Sequence, residues 1–145
     1  MPFPNPVPGL VIRYSYLWRA EHQRGQEKGV KDRPCAVILT TVTEEGEPCV
    51  TVLPITHSPP ADPALAIEIP AATKARLGLD AEQSWVVLTE ANRFIWPGPD
   101  LRPARTGDMG SVAYGLLPAR FFNELRQRFI ALVRARRAGT VQRTE

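Results

Sequence analysis

Between Pro34 and Ile55 the chain carries two runs crowded with β-branched and apolar residues, PCAVILTTV and CVTVLPI, divided by Thr43-Glu44-Glu45-Gly46-Glu47. Val, Ile and Thr are stiff at χ1, pack well on a pleated surface, and favour strands; a glycine among charged residues marks a turn. The segment reads as a β-hairpin at the centre of a sheet. A two-residue turn at Glu45-Gly46 predicts that Cys35 faces Thr56, Pro34 faces His57 and Cys49 faces Val42. Arg33, just before the first arm, then lies beside Thr56 and His57, just after the second, since opposed β-carbons are about 5 Å apart. In that register the two cysteines sit far apart along the ladder, so a disulfide between them is excluded by geometry. Neither has metal-ligand spacing around it, and both read as buried thiols rather than a zinc site or redox pair.

The rest of the chain arranges itself around this hairpin. Pro2, Pro4, Pro6 and Pro8 forbid helix and predict an extended arm over residues 1–8. Val11 to Trp18 has strand composition, and Arg19 to Asp32, with no apolar face, is expected to be a mobile, solvated loop. Ala64 to Ile69 alternates as a half-buried strand does, and Pro70 to Leu77 reads as a short helix with Gly78 in the left-handed position that ends it. Ser84 to Trp96 supplies a fifth strand region, and Pro97 to Leu117 an exposed connection. Finally, Phe122, Leu125, Phe129, Leu132 and Val133 recur at three- and four-residue steps between Pro118 and Gly139, predicting an amphipathic helix with no good N-cap residue. Residues 139–145 read as a polar tail, leaving 9–138 as one domain. The expectation is a mainly β, α+β fold: a small curled antiparallel sheet or barrel, with a short helix and a C-terminal amphipathic helix covering an open side.

Composition narrows the class. The 145 residues, 43% hydrophobic and 23% charged, suit one globular core and argue against disordered or fibrous classes. The net charge of +3 hides an imbalance, because residues 101–145 hold nine arginines against three acids. That basic end suits a polyanion or an acidic partner, and equally a helix kept solvated by its arginines. No uncharged apolar run is long enough to span a bilayer and no leader pattern precedes Gly9, so a cytoplasmic, unanchored protein without a membrane partner is expected.

A guanidinium beside a hydroxyl and an imidazole suits chemistry on a phosphodiester. Cleavage of RNA by its own 2′-hydroxyl needs a proton acceptor, a proton donor for the 5′-oxygen, and positive charge where the phosphorane builds up. Arg33 supplies a permanent planar cation matched to phosphate oxygens. Thr56 can hold a nonbridging oxygen or orient the 2′-hydroxyl but is too weak an acid or base for proton transfer, whereas imidazole, as at His57, titrates near neutrality. Each residue also has a plainer reading: Arg33 as a solvated residue entering a strand, Thr56 as a strand-end hydroxyl bonding its own backbone, His57 as an exposed neighbour of Ser58-Pro59. His22 reads as a solvated loop residue, and Glu90 and Arg93 either pair with each other or reach a ligand. Trp18, Trp85 and Trp96 suit core or interface positions, and an exposed one would suit base stacking.

Gly9 through Trp18, the polar loop ending in Arg33-Pro34 before CAVILTT, the strand VTVLPIT closing at Thr56, and SWVVLTEANRF together resemble the MazF/PemK family of toxins over about residues 9–138. The resemblance implies an SH3-like barrel, a homodimer, metal-independent and cofactor-free cleavage of single-stranded RNA, and inhibition by a cognate antitoxin protein. It implies Arg33 and Thr56 as the catalytic pair; His57, which has no fixed counterpart in the family, is a further catalytic candidate on its own chemistry, and His22, Lys31, Glu90 and Arg93 are candidates for contacting RNA. The chain departs from the family pattern at Leu10, where an acidic residue is usual, in a longer first loop, and in the connection 97–117. Two other readings stay open: a non-catalytic module of the same fold that grips a protein target, as CcdB-like toxins do, and a barrel that binds RNA through the basic helix without cutting it.

Overall fold

A computed structural model describes residues 3–25, 31–105 and 111–143. Among them run eight strands, β1 (Leu10–Tyr14), β2 (Arg33–Val42), β3 (Pro48–Thr56), β4 (Ala66–Glu68), β5 (Trp85–Val87), β6 (Glu90–Ile95), β7 (Ala113–Leu116) and β8 (Gly139–Gln142). Three α-helices accompany them, α1 (Arg19–Gln23), α2 (Ala71–Leu77) and α3 (Ala119–Arg134). The strands form one sheet in the order β4-β5-β3-β2-β1-β7, with β6 also on β3 and β8 beside β6. Every pair is antiparallel except β6–β8. The architecture is mainly antiparallel β with few helices, and the sheet is open rather than closed on itself.

β2 and β3 are the trunk. Their continuous apolar runs follow from burial on both faces, since successive strand residues point to opposite sides. Val11, Ala36 and Leu53 join one core cluster with Leu77 of α2 and Leu125 and Leu132 of α3, while Ile12, Val37 and Val52 join another with Tyr14, Phe94 and Trp96. On the edge away from β2, β3 serves two partners: residues 49–52 pair with β6, residues 55–56 with β5. Pro54 has no N–H to offer between the two stretches, which suits a point where a ladder changes partner. The single fifth strand expected over 84–96 is therefore two strands, with Leu88 buried between them.

The hairpin register differs from the expected one. The turn spans Thr43 to Glu47, with Thr43 N donating to Glu47 O at 2.8 Å and Gly46 in the left-handed region at φ 85°. Val42 thus faces Pro48 and Thr41 faces Cys49, and an irregularity between Val37 and Leu39 shifts the pairing again, so that Cys35 faces Pro54. Cys35 does not face Thr56, nor Cys49 Val42. The ladder ends at the pair of Cys35 and Pro54, two residues from Arg33 on one arm and two from Thr56 on the other. Both cysteines are free, Cys35 buried and Cys49 half-buried.

Three further expectations are corrected. First, strand β1 ends at Tyr14, and the polar stretch after Trp18 begins as helix α1 rather than a solvated loop. Glu21, only 6% exposed, accepts from Trp18 N at 3.0 Å and so satisfies an amide at the helix start. Residues 26–30 of that loop lie outside the described residues. Second, the connection after Pro97 is not all exposed: Asp100, Leu101 and Val112 are buried, and β7 pairs with β1; residues 106–110 lie outside the described residues. Third, residues 139–143 of the expected tail are part of the fold, because β8 adds to β6 and Arg143 is buried; residues 144–145 lie outside the described residues. Helix α3 stops before Gly139, where Arg136 takes φ 58° and Arg137 N reaches back to Leu132 O at 2.8 Å.

Other elements match their sequence signals. α2 ends on Gly78 at φ 73°, and α3 starts after Pro118 with no side-chain cap, burying Leu125 and Leu132. The proline arm lies on the domain, its Phe3 ring edge-on to Trp96 and Pro6 buried. Among the described residues no helix is long and apolar enough to cross a membrane.

Candidate functional site

At the mouth of the hairpin a cleft of about 630 Å³ opens between the start of β2, the end of β3, α2 and β7. Its walls include Arg33, Thr56 and His57 together with Lys31. Arg33 enters β2 opposite Tyr14 of β1, which anchors its backbone at the rim. Its guanidinium carbon sits 4.8 Å from the centre of the Trp18 ring, a cation–π contact that fixes the plane of the fork. The Arg33 Nε is buried and donates to no atom among the described residues, a costly state for a charged donor unless something else occupies the cleft.

Thr56 is the last residue of β3. Its Oγ1 accepts from Ser58 N at 3.2 Å, a local turn in which the hydroxyl keeps its own proton to donate. His57 follows it, with the side chain 47% exposed, and its Nε2 meets Asp80 Oδ2 at 2.8 Å. Asp80 Oδ1 in turn accepts from Lys74 Nζ at 2.7 Å.

Lys74 is the unusual member of this group. The lysine is 4% exposed, and its ammonium also donates to Ser84 Oγ at 2.6 Å and to the Glu82 carbonyl. All three donors are thereby used, the condition under which a buried ammonium is tolerated. That ammonium holds the Asp80 carboxyl below the usual carboxylate range, His57 adds to the effect, and partial desolvation opposes it. Glu82 comes within 3.9 Å of His57 Nε2, and His57, Asp80 and Glu82 offer ligand atoms within 4.8 Å of one another. The Lys74 ammonium already neutralises Asp80, so the trio is poorly suited to a divalent cation. Across the cleft, burial raises the Tyr114 phenol above its ordinary range, opposed by the neighbouring Arg13 guanidinium.

The structure thus gathers Arg33, Thr56, His57 and Lys31 at one cleft and places the other candidates elsewhere. His22 is exposed on α1 and Arg93 exposed on β6. Glu90 is half-buried and engaged: its Oε1 accepts from Arg19 N at 2.8 Å and from the Tyr16 hydroxyl at 3.1 Å, tying α1 to β6, and burial raises its carboxyl above the usual range. It does not pair with Arg93. Trp96 packs in the core and Trp85 is half-buried, leaving Trp18 as the tryptophan of the cleft.

Lys74 and Asp80 were not singled out by the sequence, although one signal pointed to the lysine. Lys74 lies three residues before Leu77 on α2, on the same helical face, so a helix that buries Leu77 carries Lys74 inward. Asp80 sits in the loop after Gly78, where nothing local sets its partner. The chain matches no family model, and no curated protein matches it.

Proposed function

We propose that this chain is a metal-independent endoribonuclease that cleaves single-stranded RNA, acting as a growth-inhibiting toxin of the MazF/PemK kind that its motifs resemble. The observation that carries the reading is the meeting of Arg33, Thr56 and His57 at one cleft, an arrangement matching what transesterification at a phosphodiester requires. The 2′-oxygen attacks phosphorus and gives up its proton, the bond to the 5′-oxygen breaks, and that oxygen takes a proton; the products are a 2′,3′-cyclic phosphate and a 5′-hydroxyl. Arg33 offsets the charge on the nonbridging oxygens, and the Thr56 hydroxyl donates to one of them. Because Nε2 of His57 is committed to Asp80, Nδ1 is the ring nitrogen left to exchange a proton with the 2′- or 5′-oxygen.

The remaining parts of the proposal follow from the same resemblance: a sheet forked on β3 as a variant of the SH3-like barrel, a homodimer whose subunits together form the RNA groove, a cytoplasmic site of action, and a cognate antitoxin that covers the cleft. The test is incubation of the purified protein and Arg33→Ala with a long single-stranded RNA in the presence of a chelator. Cyclic-phosphate ends that appear with the wild type and vanish with the variant are expected. RNA recovered intact with both proteins overturns the reading.

A second reading has its own observation. Arg120, Arg126, Arg134, Arg136 and Arg137 are all exposed on or just after α3, a surface suited to an RNA backbone without cleavage. In that case binding weakens steeply as salt rises and no product forms. Neither cutting nor salt-sensitive binding would favour the module that grips a protein target.

A further inference from the structure

We propose that Lys74, Asp80 and His57 form a relay in which the buried ammonium locks the carboxylate and the carboxylate locks the imidazole, making Lys74 and Asp80 positioning residues for His57. The inference rests on the proposed nuclease reading for its consequence, but not for its geometry. Each member comes from a different part of the fold: His57 from the end of β3, Lys74 from α2, Asp80 from the loop after it.

The asymmetry of the contacts carries the argument. Asp80 spends one oxygen on Lys74 at 2.7 Å and the other on His57 at 2.8 Å, and accepts a third bond from Glu82 N at 3.1 Å on the lysine-side oxygen. With both oxygens held, the carboxylate cannot rotate away from the ring. A half-exposed histidine on a strand end would otherwise sample several rotamers. Here its Nε2 is turned toward Asp80, and an ionised carboxylate accepts only, so Nε2 carries a proton and, in the neutral ring, Nδ1 presents the lone pair. The second-layer lysine explains its own burial: an ammonium is costly to desolvate unless it is fully bonded, and its three acceptors, Asp80, Glu82 O and Ser84, are supplied by the short stretch 80–84. That stretch is thereby fastened to α2, which places Asp80 against His57.

Asp80 is met by Lys74, His57 and the Glu82 amide, while the Glu82 carboxylate lies near His57 and Ser84 near Lys74. The first experiment reads the carboxyl of Asp80 directly, by carbon-13 NMR across a pH series, in the wild type, Lys74→Met and His57→Gln. The wild-type midpoint is expected below the ordinary range, higher in Lys74→Met, and raised by a smaller amount in His57→Gln. A midpoint unmoved in Lys74→Met, with circular dichroism and melting showing that the variant is folded, overturns the relay.

The second experiment reads RNA cleavage by Asp80→Asn, which keeps the size of the side chain. Here kcat is expected to fall about tenfold to a hundredfold, no more than the lower end of the ~10²–10⁴ contribution of a positioned acid–base group, while KM stays within about twofold. Wild-type cleavage with an equally active Asp80→Asn overturns the relay and leaves the nuclease standing. Absence of cleavage by the wild type removes the nuclease reading, and the carboxyl titration then decides the relay alone.

Discussion

The guanidinium of Arg33 lies over the indole of Trp18, 4.8 Å from the ring centre, with its Nε buried and donating to nothing among the described residues. The pair combines a fixed cation with an unspent donor. A cation clamped to an aromatic face keeps its orientation whether or not a ligand is bound, which lowers the cost of ordering it during a reaction. A buried, unspent donor does the opposite for stability, and the two effects make separable predictions.

Arg33→Met is expected to abolish cleavage, with a loss of about 10²-fold or more, while the melting temperature changes little, because loss of the contact with Trp18 is offset by removal of a desolvated donor without a partner. Rate measurements beside calorimetry check this; a large loss of stability would show that Arg33 supports the fold. Arg33→Lys keeps the charge and loses the planar fork, so it restores little of the rate.

Trp18→Leu removes the face on which the guanidinium rests, worth about 0.5–2 kcal/mol. Cleavage should slow in kcat more than in KM, because Arg33 is still present but no longer held. A change confined to KM would assign Trp18 to RNA binding instead.

Thr56→Val deletes the hydroxyl and nothing else. The cost to stability is expected to stay under about 1.5 kcal/mol, since one exposed turn contact from Ser58 N is lost, while cleavage falls. Equal activity in the variant removes Thr56 from the mechanism.

The pH dependence of stability has a definite sign. Asp80 is an acid whose folded-state carboxyl lies below its ordinary range, so its contribution is present above the unfolded value of about pH 4 and fades as pH falls through the folded value. Urea unfolding of wild type and Asp80→Asn should differ at neutral pH and converge in acid. The difference is expected to be small, because the Asp80 side chain is 49% exposed and solvent screens the pair. A gap that widens on acidification contradicts this account.

Asp100→Ala tests the end of the chain. Arg143 and Asp100 meet at 2.8 Å with side chains only 2% and 7% exposed, and Arg143 Nη1 also donates to Ser15 O and Asn92 Oδ1. Removing one partner of a buried pair costs about 3–5 kcal/mol, a shift that urea unfolding would show at once. A cost near zero would mean that β8 contributes little to the fold.

How much of this was legible depended on the range over which each signal acts. α3 and α2 could be read because Leu125, Leu132 and Leu77 repeat at helical spacing and Gly78 takes a conformation that favours glycine. The central hairpin could be read for the same local reasons. Its register could not, because the turn uses Thr43 to Glu47 and the ladder slips between Val37 and Leu39; a slip of this kind costs little locally and leaves no mark in composition. α1 escaped notice because a single short turn of polar residues has no apolar stripe, and its stability comes from Glu21 and from Glu90, distant in sequence.

From its order of residues alone the chain determined where the central hairpin, α2 and α3 form, which segments are apolar enough for a core, and that a cation and a hydroxyl stand at the mouth of a hairpin, since these rest on preferences of neighbouring residues. Tertiary structure decided that Arg33 and Thr56 line one cleft, that Lys74 is buried against Asp80 and Asp80 turned to His57, and that residues 139–142 complete the sheet. Those outcomes depend on contacts between segments far apart in sequence, whose strength arises only when packing removes them from water and fixes their separation.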